Sequence, residues 1–213
     1  MNGVELEQVT QYKCLGVILD DTLSFKYHVD SIVKIIKQKL GMVRRIKHLF
    51  TQDQLSRLYW GFILPHALYC STVWSSRSET NYKTINTLHK RAAYLVSGKT
   101  WATPSHEVLD ELTWPTLKEL FTQSTACMMY KCVSGTASSV LCNKFCLNDD
   151  VSLRTTRNSN KKLLRTPLCK TQFYQKLFVY AGIVLWNALS DECRRAESLF
   201  IFKNALKRHT NTP

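Results

Sequence analysis

One apolar stripe limits this sequence more than any other feature. Val29, Ile32, Val33, Ile36, Leu40, Val43 and Phe50 recur at steps of three, four and seven, which lines them along one face of a helix. At about 100° per residue, Lys34, Lys37, Arg44, Arg45 and His48 gather in an adjoining sector. A helix over 29–50 must therefore pack on one side and present cations on another. Only 7 Gly and 5 Pro interrupt the 213 residues, so further long helices have room.

The neighbouring segments obey similar rules. Val9 to Leu19 reads as strand, broken at Gly16 and ending at Asp20-Asp21. Thr51 with Gln54 forms a capping box for the next helix, which Pro65 ends or kinks. Further helices are expected over 81–96, closed by Gly98, from Pro104 through Leu112, and from Pro115 to Val133 before Gly135. Helix spacing returns over 173–189 and 198–208, whereas 142–170 shows neither period and reads as loop with short strands. The expected class is mainly α (α+β), a helical bundle with a short N-terminal strand pair and an irregular basic C-terminal part. Trp74, Trp101, Trp114 and Trp186 have apolar or turn neighbours and are expected in the core.

Charge speaks to partners. The chain carries 29 Lys+Arg against 16 Asp+Glu, a net +13, and a surplus of that size favours polyanions. It is not spread evenly. Residues 26–50 hold seven cations and one acid, and 151–176 hold seven cations and none, with an acidic stretch between. Two separate basic blocks predict two contact surfaces, with Arg154, Arg157, Lys161 and Lys162 in the second. No segment has the run of about twenty apolar residues that a membrane span needs, and the first residues lack a signal peptide's basic start. An intracellular chain is expected, in nucleus or cytoplasm, with no membrane partner. Its eight cysteines are then expected to be reduced, buried thiols.

No complete active site can be read. Cys127, Cys132, Cys142 and Cys146 lack the paired spacing of zinc ligands. Asp20-Asp21 could suggest metal-binding carboxylates, but the Thr22-Leu23-Ser24 that follows predicts a turn. No phosphate loop and no nucleophile signature is present. Neither a metal site nor a catalytic residue is assigned.

Several motifs then occur in collinear order. Tyr12-Lys13-Cys14-Leu15-Gly16-Val17 resembles the Tyr-Leu-Gly strand that follows the catalytic palm in reverse transcriptases of LINE-type, non-LTR retrotransposons, jockey-like RNA-directed DNA polymerases. Phe25 to His28 with Asp30 resembles that family's next helix entry. Ile63-Leu64-Pro65-His66 with Tyr69-Cys70-Ser71-Thr72-Val73-Trp74 resembles its Leu-Pro-His and Tyr-Cys-Ser-x-x-Trp segment. His89-Lys90-Arg91-Ala92 is similar to its Gln-Lys-Arg-Ala helix, and Leu185-Trp186-Asn187-x-Leu189 to its late Leu-Trp-Asn-x-Leu. Ser190, Leu68 and Tyr94 depart from the pattern.

The resemblance implies a palm-end strand remnant over 1–26, a helical thumb-like bundle over 27–135, and a basic loop region with C-terminal helices over 136–213. It implies that Tyr12, Leu15 and Gly16 sit beside the primer end. The palm and fingers of the same polyprotein would precede Met1 as partners, together with the magnesium of the intact enzyme; no cofactor is expected in this chain. Lys34, Lys37, Arg44, Arg45, Lys90 and Arg91 would contact phosphates of an RNA–DNA hybrid or RNA without reading sequence. On this reading the chain holds template and primer and does not polymerise alone. The alternatives are a stand-alone basic nucleic-acid-binding module, a protein-interaction module, and a retroelement relic without function.

Overall fold

Leu15 and Gly16 both take positive φ, 46° and 84°, and that pair of angles folds β1 (Gln11–Cys14) back onto β2 (Val17–Asp20). Cys14 pairs with Val17 and Gln11 with Asp20 in antiparallel register. A two-residue turn of this hand matches the strand twist, and Gly16 supplies the second positive φ without strain. The computed structural model describes residues 8–76, 78–148 and 162–210. Among these the chain is mainly α-helical, and the hairpin is its single sheet. Two compact units form, Met1–Cys70 with Arg77–Trp114, and Ser71–Ser76 with Pro115–Pro213.

In the first unit, Asp20 sets the path from hairpin to helix. Its buried carboxylate accepts from the backbone N–H of Ser24 (2.9 Å) and Phe25 (2.7 Å) and from the hydroxyls of Thr22 (2.6 Å) and Ser24 (3.2 Å). Burial alone would raise its pKa, but these four bonds hold it below the ordinary carboxylate value. Asp20 is thus a turn residue, and a carboxylate so committed does not fit a magnesium ligand.

Helix α1 (Lys26–Ile46) follows, burying Val29, Ile32, Val33, Ile36 and Val43. It stops short of the expected 50. A 3-10 turn over Lys47–Leu49 takes the last residues, and Phe50 lies 37% exposed outside the stripe. Helix α2 (Gln52–Leu58) starts on the Thr51 and Gln54 capping box. Pro65 does not end this run. A π turn over Tyr59–Ile63, with Leu64 N–H donating to Tyr59 O, carries the chain into α3 (Leu64–Leu68). Pro65 brings no N–H of its own, and the wider turn takes the chain past it without a break.

Lys39 of α1 braces that turn. Its Nζ donates to Phe62 O (2.8 Å) and His66 Nε2 (2.6 Å) and lies 3.6 Å from the Phe62 ring centre. Burial and then the Lys39 ammonium hold the His66 imidazole below its ordinary 6.5, and burial does the same to His28. Both rings take up a proton less readily in the folded state, so the unfolded chain binds more protons as the pH drops. Their contribution to stability is complete above pH 6.5 and is lost as the pH falls through the lower folded values. Wild-type protein should melt at a lower temperature at about pH 5 than at about pH 7.5, and His66→Gln should shrink that difference. Melts with an equal drop in both proteins would remove His66 from the acid response.

Helix α4 (Ser71–Trp74) belongs to the second unit. Helix α5 (Glu79–Ser97) returns to the first, with Ser78 as N-cap and Gly98 as left-handed C-cap at φ 72°. It packs on α1 and α2, and α6 (Ser105–Glu111) packs on α5. Tyr59, His89 and Trp114 join the π turn, α5 and the end of the unit. Tyr59 stacks on Trp114 at 4.4 Å, and its hydroxyl lies 2.6 Å from His89 Nδ1. Trp114 Nε1 donates to Ser56 Oγ at 2.9 Å.

The second unit is built on α7 (Leu117–Val133), opened by the Thr116 and Glu119 capping box. After α8 (Ser139–Cys142) and the short α9 (Gln172–Gln175), helices α10 (Phe178–Ala188), α11 (Asp191–Arg194) and α12 (Leu199–Thr210) complete it. The expected helix over 173–189 is therefore two pieces. Met129, Tyr130, Ile183, Trp186, Phe202 and Leu206 form its core. Gly182 lets α10 approach α7 closely, because a Cβ there would lie 2.5 Å from Met129 Sδ.

The late Leu-Trp-Asn motif works in this unit as a clamp. Trp186 Nε1 donates to Lys162 O (2.9 Å), Asn187 Nδ2 donates to Leu164 O (2.8 Å), and Leu164 N–H donates to Asn187 Oδ1 (2.9 Å). Arg194, itself buried, closes the motif by donating to Asn187 O, Leu189 O and Asp191 Oδ1. On the other side Leu164 bridges Leu147. The expected short strands in 142–170 amount to this bridge among the described residues.

Two expectations about side chains need correction. Trp74, Trp114 and Trp186 are buried, but Trp101 is 68% exposed. All eight cysteines are unpaired, yet only Cys132 and Cys193 are buried: Cys70, Cys127, Cys142 and Cys169 are half-buried, and Cys14 and Cys146 are exposed.

Candidate nucleic-acid interface

The packing of α5 on α1 brings together cations that lie far apart in the chain. Lys37 and Arg44 stand two turns apart on α1, and Arg91 faces them from α5. These three, with Lys99 from the loop after Gly98, line a groove of about 630 Å³. Leu40, Gly41, Leu88 and Leu95 supply the apolar lining between the two helices, and Tyr94 and Trp101 lie at the end nearest the loop. Open space surrounds Gly41, since a Cβ there would meet nothing within 4 Å.

The groove cations differ in their freedom. Lys37, Arg44 and Arg91 are exposed, and Lys99 forms an ion pair with Glu111. Arg44 and Arg45 also occupy the last turn of α1, where positive charge offsets the negative end of the helix dipole. Part of their presence is thus explained by the helix itself. Convergence with Arg91 from a second helix is not.

The other expected contacts are scattered. Lys34 and Arg45 are exposed on α1 and do not line the groove, and Lys90 is half-buried on α5. Arg154, Arg157 and Lys161 fall outside the described residues. Lys162 is exposed, with φ 48°, and its carbonyl is held by Trp186. The groove and Lys162 belong to different units.

Leu15 and Gly16 form the exposed tip of the hairpin, with Leu15 86% accessible, and Tyr12 lies back along β1, paired with Leu19 and 63% accessible. Tyr69 supports that tip: its hydroxyl donates to Leu15 O at 2.6 Å, and its ring lies 3.5 Å from where a Gly16 Cβ would stand. Two motifs more than fifty residues apart in sequence thus meet. In sequence, Tyr69 stands in a motif that gives it no task, Lys99 is not among the cations expected at phosphates, and Trp101 is expected in the core. A signal was available for both, since Gly98-Lys99-Thr100-Trp101 sits between a helix-ending Gly and Pro104.

Chemically, the groove can hold an anion chain against an apolar floor. Among the described residues no three His, Cys, Asp or Glu side chains come together as metal ligands. Among them too, no helix is long and apolar enough to cross a membrane.

Comparison with known proteins finds distant relatives. The chain is 25% identical over 118 residues, 54% of its length, to the RNA-directed DNA polymerase from mobile element jockey of Drosophila funebris. It is also 25% identical over 129 residues, 59% of its length, to a probable RNA-directed DNA polymerase from transposon BS of Drosophila melanogaster. A reverse-transcriptase-related region is present. The matches span 13% and 14% of those two relatives. No family model matches the chain. No solved structure matches it either.

Proposed function

We propose that this chain is the thumb and following part of a non-LTR retrotransposon reverse transcriptase, and that it holds template and primer. The observation that carries the reading is the groove in which Lys37, Arg44 and Arg91 converge from two helices. Its support comes from the similarity to transposon polymerases over about half the chain and from the net +13. Phosphates of an RNA–DNA hybrid lie along the groove, positioned by charge and by backbone shape rather than by base edges. The hairpin, with its tip at Leu15 and Gly16 and with Tyr12 exposed on β1, lies beside the primer end. Bond-making then belongs to a palm that carries the magnesium carboxylates, supplied by the rest of the polyprotein. Lys34, Arg45 and Lys90 add phosphate contacts away from the groove, and the second basic block supplies further ones.

Fluorescence anisotropy with a labelled RNA template annealed to a DNA primer tests this. Saturable binding at low salt is expected, without nucleotide incorporation by the chain alone. A folded sample that fails to bind the hybrid in dilute buffer rules the reading out. Incorporation by the isolated chain would overturn the assignment of chemistry to a separate palm.

A further inference from the structure

Trp101 is the feature that duplex binding leaves unexplained. A tryptophan that is 68% exposed carries a large solvation cost unless something covers it. It is nevertheless held in place. Its ring packs on Tyr94 at a centroid distance of 4.3 Å and a tilt of 42°. Tyr94 in turn donates its hydroxyl to Thr103 O (2.6 Å), on the far side of the same loop. Gly98 ends α5 in the left-handed conformation, Thr103 N–H donates to Thr100 O (3.1 Å), and Lys99 pairs with Glu111 of α6. Every turn of the loop that carries Trp101 is tied down, yet most of its indole surface stays open.

We propose that Trp101 is a stacking platform for an unpaired base of a single-stranded nucleic acid. The strand's flanking phosphates run along Lys37, Arg44 and Arg91 in the groove that Trp101 adjoins. The proposal rests on the functional reading above and deepens it by adding an unpaired strand, beside the hybrid, to what the groove can hold. A cavity of about 630 Å³ is of the size that takes a small planar ligand with part of its backbone. A flat aromatic beside a basic track is how single strands are held without sequence preference, because every base offers a π face. A base still paired in a duplex hides its faces in the stack and cannot use this surface.

The test compares a 12-nucleotide poly-dT strand, its RNA counterpart and a blunt RNA–DNA hybrid against wild type, Trp101→Ala and Trp101→Phe. Tryptophan emission and anisotropy are read together. Trp101→Ala is expected to weaken both single strands roughly tenfold or more, to abolish most of the strand-induced quenching, and to cost the hybrid distinctly less than it costs either strand. Trp101→Phe should restore most of the affinity. If wild type binds the hybrid but Trp101→Ala holds single strands as tightly as wild type, stacking is excluded while the basic groove stands. Equal losses on strands and hybrid also exclude it. Wild type that binds neither removes the groove reading itself. A preference between the DNA and RNA strands tells which of them occupies the site.

Discussion

Glutamate at positions 37, 44 and 91 together is expected to lower affinity for an RNA–DNA hybrid by about two orders of magnitude at moderate salt. Each of these cations is exposed, so each can meet a phosphate at little desolvation cost. Neutralising one phosphate releases condensed counterions, and reversal replaces that gain with repulsion. The three act on one anion chain, since they line a single groove. The same change at Lys34 and Arg45, which do not line it, should cost less. The triple variant should also fold normally, because none of the three is buried. Its melting curve is therefore a control. A hybrid affinity equal to wild type from a folded triple variant would take the groove out of the account.

The second large effect concerns stability. Asn187→Leu should destabilise the second unit by about 2–4 kcal/mol, because it removes a donor and an acceptor together. Leu164 is 2% exposed, and its N–H and C=O are both held by the Asn187 amide. Leucine keeps roughly the same shape, so the loss reports unmade hydrogen bonds rather than a cavity. Asn187→Asp should not rescue it. A carboxylate can accept from Leu164 N–H but sets a second acceptor against Leu164 O. Urea melts of the three proteins check this. A midpoint for Asn187→Leu indistinguishable from wild type would mean that water replaces the amide at no cost.

The helices were largely legible because their signals are local. The stripe from Val29 to Val43, the Thr51 and Gln54 capping box and the Gly98 stop each sit within a few turns of what they govern. Asp20-Asp21 was legible as a turn for the same reason: the donors that hold Asp20 lie within five residues of it. Features that depend on distant partners could not be read. Pro65 marks a break by local rules, but Lys39, twenty-six residues earlier, braces the π turn that carries the chain past it.

The candidate site was half legible in the same sense. Lys37 and Arg44 were nameable from the charged sector of their helix and Arg91 from the motif it stands in, but only the packing of α5 on α1 selects them from Lys34, Arg45 and Lys90. Trp101 went the other way. Tryptophan is usually covered, and nothing near it in sequence states that Tyr94 and Thr103 fix it at the surface. Leu15 is similar: its family-like leucine looked like a strand residue, whereas at φ 46° it is the exposed corner of a turn.

The most direct test of the central claim is the salt dependence of hybrid binding by the wild-type chain. Three phosphates neutralised in the groove predict that log Kobs falls against log salt with a slope of about −2.7 or steeper. A slope near zero, with binding intact, would mean that these cations do not hold the polyanion.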